Sequence, residues 1–139
     1  MNLEILKKKL DDEQLTCVIA DQDKILFTSR KRGVAPLVEF IGMNIDGEFF
    51  LADKVIGKAA AMLCIKANIK HVLTGIVSIP AITILKENEI TLSYEEKVDR
   101  IKNRTGDGLC PMEGLSEGVT DINVMYDKVY LWLQEKNLL

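Results

Sequence analysis

The stretch from Val72 to Ile79 constrains the fold of this chain more than any other. It is rich in β-branched residues, apolar at odd and even positions alike, and closed by Pro80. Such a strand needs cover on both faces, the condition of a central strand in a sheet flanked by helices. The segment before it has the pattern of one such helix. Ile56, Ala59, Ala60, Leu63, Cys64 and Ala67 recur at the helical period. Asp53 stands where an N-cap belongs, and Asn68 with Ile69 and Lys70 ends the pattern. Gly57, Ala61 and Met62 keep the flanks small or apolar, so the helix is expected to be buried on more than one side.

Other elements follow from local pattern. Leu3, Leu6 and Leu10 make a short helical stripe ending near Asp11 and Asp12. Thr16 to Ala20 and Ile25 to Thr28 flank a polar turn and predict a β-hairpin. Pro36 opens a helix through Ile41, and Phe49 to Ala52 fits a short strand. Pro80 starts a helix through Leu85, and Ile90 to Tyr94 alternate as a strand does. A charged segment, Glu95 to Arg104, leads into the loop Thr105-Gly106-Asp107-Gly108. Pro111 opens a short helix, and a last one begins after Thr120 or Asp121. Its stripe of Met125, Val129 and Trp132 reads as core, or as the face of a homodimer should it be exposed. The order predicts a mixed sheet between helices, a three-layer α/β/α sandwich in a single domain spanning residues 1–139.

Composition limits the compartment and the partners. The net charge is −3 and the basic residues are scattered, which speaks against a nucleic-acid surface. Cys17, Cys64 and Cys110 are far apart and odd in number, so neither a disulfide framework nor a structural zinc site is expected. A reducing cytoplasm fits that cysteine usage. The first ten residues lack the apolar core of a signal peptide. The nearly apolar run Val72 to Leu85 is too short and too broken to span a membrane.

Three motifs carry a resemblance: Gly33-Val34-Ala35-Pro36-Leu37, the segment Asp53 to Ala61, and the segment Asn103 to Glu113. Together with the element order they resemble a family of small prokaryotic proteins of unknown function in the cytidine deaminase-like superfamily. Zinc deaminases of that fold hold a metal with H-x-E, or Cys for the His, at one helix start and P-C-x-x-C at the next. Here the first start, near Asp53-Lys54-Val55, has neither His nor Glu. At the second, Pro80 remains but Ala81 and Ile84 stand where the thiolates would be. The only histidine, His71, follows the first helix instead of starting it. No metal and no cofactor is therefore expected.

The candidate site residues come partly from local chemistry and partly from that fold analogy. Cys110, before Pro111, would stand at the start of a helix, where a thiol gains nucleophilic character from the positive helix end. The alternative is a small buried thiol under a loop. Gly106 and Gly108 would let backbone N–H groups converge on an anion there, with Glu113 in the first turn. Lys54 and Lys58 lie four residues apart on an otherwise apolar segment, either reaching solvent or facing a polar cavity with Asp53. Arg104 would clamp a carboxylate or phosphate, or pair with Glu95, Glu96 or Asp99. Arg30, Lys31 and Arg32 would hold a phosphate or form a solvated loop. Ser78, where a strand meets a helix, would contact a ligand or cap the helix.

The resemblance thus implies zinc-independent binding of a nucleoside- or nucleotide-like small molecule, with transfer chemistry, if any, at Cys110 or Lys58. The alternative is a non-catalytic module for ligand sensing or protein interaction that has lost deaminase activity.

Overall fold

The computed structural model describes residues 1–139. Six helices accompany a five-stranded sheet. In chain order they are α1 (Leu3–Asp12), β1 (Cys17–Ala20), β2 (Ile25–Ser29), α2 (Ala35–Gly42), β3 (Phe49–Ile56), α3 (Lys58–Lys66), β4 (Ile69–Ser78), α4 (Ile79–Glu87), β5 (Thr91–Val98), α5 (Pro111–Ser116) and α6 (Ile122–Glu135). The sheet order is β2-β1-β3-β4-β5. The β1 strand pairs antiparallel with β2 and β3, whereas β3, β4 and β5 run parallel. The fold is an open, mixed α/β sheet, and its parallel part is built from two strand–helix–strand crossovers.

The two faces of the sheet are covered unequally. Cys17, Ile19, Phe49, Leu51, Val72 and Val77 join a large core with residues of α2, α3, α4 and α6. The intervening positions, Val18, Ala20, Phe50 and Ala52, pack with Leu6 and Leu10 of α1 in a smaller cluster. A single ten-residue helix therefore covers the second face. Met125 and Val129 of α6 are fully buried and Trp132 packs partly against them, so that stripe is core.

Two local expectations change. Asp53 does not cap a helix. The β3 strand continues through Ile56, because Asp53 pairs with Cys17 on one side and Thr74 on the other. Two ladders of main-chain hydrogen bonds outweigh the helical spacing of Ile56 with Ala59 and Ala60. The helix starts only at Lys58, with Gly57 as its N-cap. Also, β4 lies inside the sheet between β3 and β5 as expected, but its cover on the α1 face stops short. Leu73 is buried under α1, but Gly75, the next residue on that face, lies beyond it and is half-buried.

Helix ends are marked by side-chain caps and by left-handed residues. Asn2, Ser78 and Asp121 accept N–H bonds at the starts of α1, α4 and α6. Gln14, Asn44, Asn68, Glu89 and Asn137, all with φ between 51° and 60°, follow five of the six helices. These residues close the chain back on the last turn, as an αL residue at C′ does.

Candidate functional site

The carboxyl ends of parallel strands are where open α/β sheets place ligands. Here the short reach of α1 leaves that edge open on its side of the sheet. A cleft of about 580 Å³ lies there, a volume suited to a small molecule. Lys7, Leu10 and Asp11 of α1 line it, with Asp53, Lys54 and Val55 of β3, Leu73, Gly75 and Ile76 of β4, and Glu95 and Glu96 of β5. Gly75 stands in mid-strand with no side chain to fill this space. A Cβ there would lie 3.1 Å from the carbonyl oxygen of Lys54.

The charges in the cleft are partly spent. Lys7 Nζ lies 3.1 Å from Asp11 Oδ2 and 3.4 Å from Glu95 Oε1, bridging α1 to β5. These two carboxylates, Asp11 foremost, hold the ammonium above its usual range. Lys54 is exposed and forms no ion pair, so one free cation remains at the rim. The Glu96 side chain, one residue on from Glu95, points to the other face of the sheet with Leu92. Strand alternation sends the Asp53 carboxyl to the opposite face, level with Cys17. Burial pushes it up to about 7, against the opposing hydrogen bonds of the Val55 and Lys54 N–H groups. Burial, with Asp53 adding to it, also raises the thiols of Cys17 and Cys64.

A second group of candidates gathers at the start of α3. Lys58 Nζ donates to the carbonyl oxygen of Ser116 at 2.8 Å. Glu113, only 4% exposed, accepts the Ile101 N–H at 3.1 Å and has Arg100 Nη1 at 3.6 Å. The space before α3 is thus filled by α5 and the preceding loop. Cys110 is half-buried at the first boundary of α5 and makes no capping bond through its side chain. Ser78 is buried and accepts the Ala81 N–H at 3.3 Å, the capping role.

Gly106, Gly108 and Arg104 lie in an exposed turn whose polar groups bond to one another. The Asn103 N–H donates to the Gly108 carbonyl at 2.8 Å, and the Gly106 N–H to Asn103 Oδ1 at 2.9 Å. Asp107 accepts from Thr105 and Asn103, which hold its carboxyl below its usual range. Arg30 donates to the Glu13 carbonyl at 3.0 Å, and Lys31 pairs with Glu39 at 2.7 Å. His71 stacks on Phe50 and bonds to Thr91, away from the cleft.

Of the sequence-based candidates, only Asp53 and Lys54 line the cleft. Lys7, Asp11, Glu95 and Glu96 escaped the sequence reading as site residues. Lys7 and Asp11 had the spacing of an ordinary helix pair, and nothing local joins them to β5. A hollow of about 330 Å³ at the other edge of the sheet, near Asn44, Asp46 and Asn68, holds none of the candidates. No three His, Cys, Asp or Glu residues are grouped to hold a metal ion, and no helix is long and apolar enough to cross a membrane.

No curated protein matches the chain. A solved crystal structure of a DUF1893 family protein from Thermotoga maritima is similar, with a TM-score of 0.83 and 26% identity. The match covers 92% of this chain and 87% of that one. The model of a domain of unknown function, DUF1893, matches residues 5–132. The chain is a member of the DUF1893 family.

Proposed function

We propose that this protein binds a nucleoside or nucleoside monophosphate, without zinc, in the cleft between α1 and the carboxyl ends of β3, β4 and β5. The observation that carries the reading is the cleft itself, with the unpaired Lys54 on its rim. Lys54 would take a phosphate, and Glu95 and Asp11, which share Lys7, would accept N–H or hydroxyl groups of a base or sugar. Leu10 and Leu73 offer an apolar floor to a ring. Asp11 and Glu95 balance Lys7 and Lys54, and a cleft without excess positive charge disfavours a ligand with many phosphates. The resemblance of the three motifs to cytidine deaminase-like proteins supports the nucleoside class.

The zinc of those enzymes does not fit the residues present. The α4 start offers Ala81 and Ile84, and the α3 start follows Gly57 with Lys58, none of them a zinc ligand here. Binding without a covalent step is the simpler chemistry, because neither Cys110 nor Lys58 lines the cleft and the Lys58 ammonium is committed to Ser116.

A thermal-shift screen of nucleosides and their 5′-monophosphates tests this reading. A ligand at about 100 times its dissociation constant adds about 2.7 kcal/mol, a readily measured rise in Tm. Lys54→Ala should reduce the response to monophosphates and spare that to nucleosides. Glu95→Gln should weaken both, and a chelator should change nothing. A flat screen would overturn the proposal and favour an interaction module instead.

A further inference from the structure

We propose that residues 99–110 form a strap that opens as a unit, latched shut by Glu113 and seated on Gly57. This goes beyond the ligand reading and does not depend on it.

The strap is a small hairpin with its own internal bonds. Lys102 bridges Leu109, the Cys110 N–H donates to the Ile101 carbonyl at 2.9 Å, and the Asn103, Thr105 and Asp107 side chains bond within the turn. Residues 102–109 are exposed apart from Asn103, so most of the strap is held by nothing outside itself. A segment with few buried contacts belongs to the low-stability end of a fold and opens ahead of the core.

Its attachment is concentrated at the root. Glu113 takes the Ile101 N–H with one carboxylate oxygen and faces Arg100 with the other. The Ile101 side chain rests on Gly57, where a Cβ would come within 3.0 Å of Ile101 Cγ1 and 3.2 Å of Glu113 Oε1. Gly57 has φ −100° and ψ −173°, extended backbone open to any residue. Its lack of a side chain therefore serves the close approach and not the backbone. The next residue, Lys58, pins the far end of α5 through Ser116. The Gly57-Lys58 step thus seats the strap root and holds the helix that carries the latch.

Cysteine alkylation can read the opening directly. Cys110 is half-buried at the junction of strap and α5, while Cys17 and Cys64 are fully buried in the core and report global unfolding. The full chain would be treated with iodoacetamide under native conditions and each cysteine followed by mass spectrometry. Losing a hydrogen bond to a charged group should raise the Cys110 rate in Glu113→Ala by about tenfold or more. Glu113→Gln keeps an oxygen for the Ile101 N–H and should give a smaller rise. Gly57→Ala should raise the rate through the clash alone, which keeps the test open if Glu113→Ala fails to fold. Tryptic cleavage after Lys102 and Arg104 should rise in parallel. The proposal is overturned if Cys110 reacts at the wild-type rate in folded Glu113→Ala or Gly57→Ala, or if Cys17 and Cys64 react in step with it.

Discussion

Asp53 is the residue whose physics was least expected. In the sequence it looked like a cap at the mouth of a helix. In the fold it is a carboxyl in the middle of a sheet, shielded from water and held at about 7. Between its ordinary 3.8 and that value the folded chain binds a proton that the unfolded chain releases. The contribution of Asp53 to stability is therefore fully present below about pH 4 and declines as pH rises through 7. The difference corresponds to roughly 4 kcal/mol as an upper bound. Asp53→Asn keeps an oxygen for the Val55 N–H and removes the buried charge. It should stabilise the protein at pH 8, by on the order of 2 kcal/mol, and flatten the decline between pH 4 and 7. Urea unfolding at pH 5 and pH 8 would check this; an equal change at both pH values would refute it.

At the scale of elements, helix ends separate what is local from what is not. The last helix has its N-cap written in the sequence, and Asp121 accepts the Asn123 and Val124 N–H groups at 2.8 and 3.0 Å. Asp121→Ala should cost about 1 kcal/mol of stability by chemical denaturation. The start of α3 was illegible because strand pairing with β1 and β4 fixed it, and neither partner is near in sequence. The hairpin β1–β2, the Pro36 helix, the α4 start at Ser78 and the short α5 were legible for the opposite reason. Each is specified by turn, proline or cap chemistry within a few residues. The turn at Gly106 and Gly108 was visible too, but its hydrogen bonds close inward, which no spacing announces.

For the molecule as a whole, the unequal cover of the sheet matters most. The α1 helix alone shields the second face, through Leu6 and Leu10. It also forms one wall of the cleft. Leu6 is fully buried, so Leu6→Ala should cost about 2–5 kcal/mol by chemical denaturation. The same change should loosen the cleft wall, seen as faster amide exchange in α1 than in α3. Uniform loss of protection in both helices would show that the α1 layer does not act separately.

The sequence alone determined the element order, the mixed α/β class and the absence of a ligand set for zinc. These rest on periodicity, local turn chemistry and residue type, which the neighbouring chain does not alter. Tertiary structure alone decided which face each candidate side chain meets. Lys54 and Glu95 share a rim because parallel pairing through β4 brings two distant strand ends to one edge. Asp53 and Lys54, adjacent in the chain, part company because alternation in a strand sends them to opposite faces. The site depends on register between strands, and register is set by long-range packing that no single stretch of the chain contains.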